Sequence, residues 1–294
     1  MLNGLGLFAG VGGIELGLER SGASRPVCFV EKNKYCQDVL SKRFPEVPIW
    51  DDVKTFDGKY WKGKIDIISG GFPCQDISGS GKGEGIKEGT RSGLWFQYKR
   101  IIGEIQPLFA LIENVRDITI RGLNIVLADL ASIGYSSEWF VLSASDMGAP
   151  HLRKRCFILA YPSLMRSGRW NSEKRGIQRR NLEQEKQTRG SVWNKVKRCC
   201  GLCAEELSDS HEINDDGCRH GASKVRGGES FPSILSGSES KIRWTVEPGV
   251  GRVADGVPSR VDRLKCLGNA VVPQCAEYIG RLIMEAIGNG KNQR

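Results

Sequence analysis

Cys74 has the company of a reactive residue. It stands in Gly70-Gly71-Phe72-Pro73-Cys74-Gln75, straight after the apolar run Ile65-Asp66-Ile67-Ile68-Ser69. That run has the composition of an interior strand, which Pro73 and the paired glycines are expected to end. Cysteine attacks only as its thiolate, so a nucleophilic cysteine needs surroundings that favour ionisation, and a loop at the C-terminal edge of a strand permits them. A cysteine without such neighbours simply packs. Glu113 is a second candidate: Leu108-Phe109-Ala110-Leu111-Ile112 reads as a buried strand and delivers Glu113-Asn114-Val115 to the same sheet edge, where a carboxylic acid can donate a proton. A third group is basic. Pro150-His151-Leu152-Arg153-Lys154-Arg155 precedes the strand Cys156-Phe157-Ile158-Leu159-Ala160, so alternation would put Arg153 and Arg155 on one face. The plainer reading of those arginines is a solvated basic strand.

The elements around these residues carry a second chemistry. Leu5 to Phe8 reads as a short strand, Ala9-Gly10-Val11-Gly12-Gly13 as a tight turn, and Ile14 to Arg20 as a helix. Glycines allow close approach of backbone to ligand, and a helix start offers free N–H groups. As a dinucleotide fingerprint the turn is imperfect, because Glu15 stands where the last glycine belongs. About twenty residues further on, the strand Val27-Cys28-Phe29-Val30 ends in Glu31, the position at which α/β nucleotide-binding folds set a carboxylate against ribose hydroxyls. After a helix over Tyr35 to Arg43, Ile49-Trp50-Asp51-Asp52-Val53 brings another acid pair to a strand end, and Asp52 is suited to accept an adenine amino hydrogen. Taken singly, either acid reads equally well as a solvated loop carboxylate. Gly268-Asn269-Ala270-Val271-Val272-Pro273 then leads into a helix from Gln274 to Ile287.

Length and charge fit a large α/β core with one insertion. The chain has 294 residues and a formal net charge of +9, which favours a polyanionic partner. The excess is concentrated: Arg166, Arg169, Lys174, Arg175, Arg179, Arg180, Lys186, Arg189, Lys195, Lys197 and Arg198 crowd one segment, with Trp170 and Trp193 interleaved. Binding through such a segment should weaken steeply with salt. Residues 163–240 lack periodic apolar patterning. Within them Cys200 and Cys203 have Cys-x-x-Cys spacing, but Cys199, His211, Cys218 and His220 supply no regular second pair, so no metal is expected. Ten cysteines, one needed as a free thiolate, fit a reducing cytoplasm. The apolar start, Met1 to Leu18, lacks a basic leader and contains Glu15, so neither signal peptide nor membrane span is expected.

Taken in order, Phe8-Ala9-Gly10-Val11-Gly12-Gly13, Pro73-Cys74-Gln75, Glu113-Asn114-Val115, Arg153-Lys154-Arg155 and Gly268-Asn269-Ala270-Val271 resemble the signature blocks of the DNA cytosine-5 methyltransferases. Lys82-Gly83-Glu84-Gly85 through Arg91-Ser92-Gly93-Leu94-Trp95 looks like a further block, and Arg243-Trp244 through Gly251-Arg252-Val253-Ala254-Asp255-Gly256 looks most like compact phage and prophage members. The resemblance covers nearly all of residues 1 to 160 and again 241 to 285. It departs at His151, where the family usually has glutamine, and in lacking the arginine- and leucine-rich block that closes the specificity region.

The resemblance implies a class I S-adenosylmethionine-dependent methyltransferase fold, α/β and Rossmann-like with a mixed, mostly parallel sheet and a small inserted DNA-recognition region. The implied domains are a catalytic and cofactor-binding part over 1–162, recognition over 163–240, and a return to the catalytic part over 241–294. It implies that Cys74 attacks C6 of a flipped-out cytosine in duplex DNA, that Glu113 protonates or hydrogen-bonds N3, and that Arg153 and Arg155 hold the base oxygen and the neighbouring phosphate. For S-adenosyl-L-methionine it implies a seat at Phe8, Ala9, Gly10, Gly12, Gly13 and Ile14, with Glu31 on ribose, Asp52 and Val53 on adenine, and Pro73, Asn269 and Val271 closing the site. A monomer is expected, with a cognate restriction endonuclease as a companion consistent with the family. An RNA cytosine-5 methyltransferase and an inactive DNA-binding relative remain alternatives.

Overall fold

Apolar runs rich in Val, Ile, Leu and Phe, punctuated by Gly, Pro and Asp, alternate with amphipathic stretches, and this alternation builds a parallel sheet with covering helices. The structure is a computed structural model that describes residues 1–74, 86, 87, 89, 92–163 and 260–288. In chain order the principal elements are β1 (Leu2–Leu7), α1 (Gly13–Arg20), β2 (Ser24–Val30), α2 (Lys34–Arg43), β3 (Ile49–Trp50), β4 (Ile67–Gly71), α3 (Trp95–Ile105), β5 (Phe109–Val115), α4 (Ile118–Arg121), α5 (Leu123–Ser132), β6 (Tyr135–Leu142), β7 (Arg155–Pro162), α6 (Arg260–Asn269) and α7 (Pro273–Gly288). The strands lie in the order β3-β2-β1-β4-β5-β7-β6. Neighbours from β3 to β5 are parallel, and β7 runs antiparallel to both β5 and β6. Strand order reverses between β1 and β4, and the C-terminal edge of the sheet at such a reversal is where open α/β sheets bind their ligands.

Both faces of the sheet are buried. Along β5, Ala110 and Ile112 join Leu5, Leu7 and Ile68 beneath Trp95, Tyr98 and Ile101 of α3. Phe109 and Leu111, pointing the other way, join Ile67 beneath Ile14 and Leu18 of α1 and Ile279 and Ile283 of α7. Helices α1 and α7 approach closely because their contact is lined by small residues: a side chain at Gly17 would overlap the Pro273 carbonyl and Ala276. That packing returns the C-terminal segment to the N-terminal turn. Among the described residues no helix is long and apolar enough to cross a membrane.

The first strand runs Leu2–Leu7, leaving Phe8 in the turn beyond it, and three further differences from the reading of the sequence bear on the site. Gly70 and Gly71 are part of β4 and do not end it, because the strand pairs on through Gly71 opposite Glu113. β5 likewise runs on to Val115, so Glu113 and Asn114 are strand residues rather than loop residues. Arg153 lies outside β7, in a left-handed backbone conformation with φ 33°, so it does not share a strand face with Arg155. The basic cluster of residues 166–198, the Cys/His group over 199–220 and the proposed recognition region beyond Ser163 lie outside the described residues.

Candidate active site at the C-terminal edge of the sheet

Two adjacent strands bring Cys74 and Glu113 together. β4 and β5 are parallel neighbours, with Gly70 opposite Ile112 and Gly71 opposite Glu113. A Cβ on Gly71 would fall on the Glu113 carboxylate, and one on Gly70, whose φ is 155°, would fall on the Leu7 carbonyl. The glycine pair therefore makes room for Glu113 on one side and for β1 on the other. The chain leaves β4 through Phe72 and Pro73 and presents Cys74, which alone among the described cysteines is not fully buried. Asn114, itself buried, fastens this exit: its Nδ2 donates to the Phe72 carbonyl at 3.1 Å. Asn114→Ala is expected to lower kcat about 10-fold by loosening the Cys74 loop and to cost roughly 1–3 kcal/mol, checked by steady-state kinetics and thermal melting.

The acid is held by the first residue of β7. Arg155 stands opposite Val115, two positions along from the partner of Glu113, which puts the two side chains on one face as diagonal neighbours. Arg155 Nε lies 3.0 Å from Glu113 Oε1. Burial nonetheless pushes the Glu113 carboxyl up to about 7, against the opposing pull of Arg155 and Arg153. The Cys74 thiol is also raised, first by burial and then by the negative charge of Glu113, while Arg155 pulls it down. A proton on Glu113 thus favours the Cys74 thiolate. Arg153 is engaged elsewhere: its Nη2 donates to the carbonyls of Gly268 at 2.7 Å and Ala270 at 2.5 Å, tying the C-terminal end of α6 and the turn after it to the entry of β7.

The residues expected to seat a nucleotide-like cofactor converge beside this pair. Phe8 has φ 52°, an uncommon conformation for a residue with a side chain, and its ring stacks on Tyr98 at 6.2 Å. Glu31 bridges two loops, accepting from the Gly10 N–H and the Asn33 N–H, each at 2.7 Å. Gly10 itself faces open space, as a cradle for a ligand requires, whereas Gly13 lies against the Val271 carbonyl, 2.6 Å from where a Cβ would stand. Gly12 caps α1 in a left-handed conformation. Asp52 accepts from the Lys54 N–H at 2.9 Å and from Lys32 Nζ at 3.0 Å, which lowers its pKa. The side chains of Ile14 and Val53 are buried in the two cores. Asn269 is exposed, and Pro73, Ala9 and Val271 are half-buried.

Four supporting residues carry no role in the sequence reading. Besides Asn114 these are Glu15, Tyr98 and Arg100. Arg100 braces the loop after β3 by donating to the carbonyls of Val53 at 2.9 Å and Phe56 at 3.1 Å while pairing with Glu104. The i,i+4 spacing of Arg100 and Glu104 was a visible signal; their loop partners were not.

A seven-stranded sheet in this order, with β7 reversed and a glycine turn at the strand-order reversal, defines the class I S-adenosylmethionine-dependent methyltransferase fold. Residues 2–230 match the family model for the C-5 cytosine-specific DNA methylase. The chain belongs to that family. It is 38% identical over 157 residues to the type II methyltransferase M.CviJI of Paramecium bursaria Chlorella virus IL3A, covering 53% of this chain and 42% of that protein. It is 37% identical over 165 residues to the type II methyltransferase M.NgoBI of Neisseria gonorrhoeae, covering 55% of this chain and 51% of the relative. The chain thus spans about half the length of the curated relatives it matches, or less. Fold and family together imply the use of S-adenosylmethionine.

Proposed function

We propose that the chain transfers a methyl group from S-adenosylmethionine to C5 of a cytosine in duplex DNA, through a covalent bond between Cys74 and C6. The observation that carries this reading is the convergence of Cys74, Glu113 and Arg155 at the strand-order reversal, beside the glycine turn. C5 of cytosine is too weak a nucleophile unaided, and addition of a thiolate at C6 gives it enamine character. Cys74 supplies that thiolate. Glu113, carrying a proton, donates to N3 as negative charge develops on the ring. The thiolate with carboxylic acid holds the same number of protons as the thiol with carboxylate, so the pair reaches its working state by moving one proton within itself. Loss of the C5 proton to solvent then restores the C5–C6 double bond and expels Cys74.

Arg155 holds the base beside Glu113, while Arg153 secures the end of α6 and the turn after it, which carry Asn269 and Val271. When bound, S-adenosylmethionine supplies an electrophilic methyl group on its sulfonium. The residues suit it: Gly10 leaves space and the Glu31 carboxylate, although engaged by two N–H groups, retains lone pairs for ribose hydroxyls. Asp52, Val53, Pro73, Asn269 and Val271 complete the proposed site. Glu31→Ala removes both a ligand contact and the link between two loops, so cofactor affinity should fall about 10- to 100-fold. Calorimetric titration checks this, and an unchanged Kd refutes the assignment.

The target cytosine must leave the stack to reach Cys74, at a cost of a few kcal/mol. The basic segment over 166–198 supports a duplex DNA partner, and the type II relatives suggest a restriction endonuclease as companion in the cytoplasm. The test is tritium transfer from labelled S-adenosylmethionine to duplex DNA, with product mapped by bisulfite sequencing. Label in 5-methylcytosine supports the reading; label only in RNA, or none, overturns it.

A further inference from the structure

Glu15 occupies an unusual place for an acid. A carboxylate in the first turn of a helix ordinarily faces solvent and the helix dipole. Here Glu15 is 4% exposed, turned onto the sheet together with Ile14 and Leu18. It fits only because residue 6 is glycine: a Cβ there would stand 2.7 Å from Glu15 Oε1. The same Oε1 accepts from Ser69 Oγ at 2.9 Å, whereas Oε2 is buried with no hydrogen-bond partner. Gly6 and Ser69 are directly paired between β1 and β4, so the contact spans the two strands at which the order reverses. On the Glu15 side, the chain immediately before is the glycine turn Gly10–Gly13. On the Ser69 side, the chain immediately after is Gly70-Gly71-Phe72-Pro73-Cys74.

We propose that Glu15 is a positioning residue for methyl transfer: through Ser69 its carboxyl ties the turn that seats the methyl donor to the strand that delivers Cys74. The proposal rests on the cytosine-5 reading above. The tie acts across the short path between the two reacting partners, where misplacement of about 1 Å can cost on the order of 10²-fold in rate. Burial raises the carboxyl to about 7, so the neutral form that the apolar face tolerates stays populated far above the ordinary carboxylate range.

The experiment uses the full chain and four variants: E15A, E15Q, S69A and the double variant E15A/S69A. Turnover at saturating donor and DNA, KM for each, DNA affinity and thermal melting are measured, with kinetics taken well below each melting midpoint. E15A is expected to lose kcat about 30- to 100-fold, with DNA affinity unchanged. S69A should lose about 10-fold, and E15Q, which keeps an acceptor for Ser69, should stay within about threefold of wild type. The double variant should be no slower than E15A, since both changes break one tie. A merely structural acid would shift melting and leave kcat of the folded fraction alone. An active wild type with unchanged kcat in E15A, additive losses in the double variant, or E15Q as slow as E15A would each overturn the proposal. Should E15A fail to fold, an unimpaired S69A overturns it. A wild type that transfers no methyl group overturns the underlying reading and the proposal with it.

Discussion

Cys74→Ala is expected to abolish methyl transfer, with a loss on the order of 10⁴-fold or more, as for nucleophiles that act as a unit with their partners. No other described cysteine can take over, because Cys28, Cys36, Cys156, Cys266 and Cys275 are all buried. The substitution removes an intermediate-exposure side chain at a loop, so folding and affinity for DNA and donor should change little. Single-turnover transfer of labelled methyl checks the rate. Duplex containing 5-fluorocytosine checks the mechanism, because fluorine cannot leave as a cation and the thioether to Cys74 should persist through denaturation. The wild type should give that adduct and the alanine variant none. Residual transfer within about tenfold of wild type would exclude covalent catalysis by Cys74.

Glu113→Gln is expected to lower kcat about 10²- to 10³-fold, the range of a positioned proton donor. Its pH behaviour follows from a carboxyl raised from 4.5 to about 7 by burial. In the proposed mechanism it is protonated Glu113 that serves the reaction, so its contribution should be full below about 7 and fade as the pH rises through that value. Cys74 has the opposite requirement, since its thiolate grows with pH. The wild type should therefore show a bell-shaped profile, and E113Q should lose the alkaline fall that belongs to the acid while retaining the rise that belongs to the thiol. Stability has its own sign. A carboxyl whose folded pKa exceeds its unfolded value holds its proton more tightly when folded, so stability is greatest at low pH and is lost as pH rises from 4.5 to about 7. Glu15 contributes in the same direction and over the same window. E113Q should flatten part of the decline in chemical denaturation curves, leaving the share of Glu15; an unaltered slope would place the Glu113 titration elsewhere.

Much of the site was legible because its parts are short and local. Apolar runs marked several of the strands, and the residue types at their ends, Cys74, Glu31, Asp52 and Glu113, pointed to one sheet edge as the candidate site. The boundaries were less legible where glycine intervened: Gly70 and Gly71 carry no side chain to mark a strand, and their presence looked like an ending. Their purpose is visible only from the neighbours they admit, the Leu7 carbonyl and the Glu113 carboxylate. Alternation likewise placed Arg153 with Arg155, whereas the positive φ of Arg153 sends it to carbonyls more than a hundred residues away.

Glu15 illustrates the division most clearly. In the sequence it was a flaw in a glycine fingerprint and an acid in a first helical turn. The fold turns it inward over Gly6 and onto Ser69, across two strands separated by a whole α/β unit. By itself the sequence determined which reactive residue types stand at the strand ends, several of the strands and helices around them, and which family the chain resembles, since those depend on residue type and short-range periodicity. Tertiary structure alone decided which of them touch, which carboxyls lose their water and so titrate near neutrality, and which side chains hold the loops in place. Those properties depend on packing and local dielectric, which arise only when residues distant in the chain close around one another.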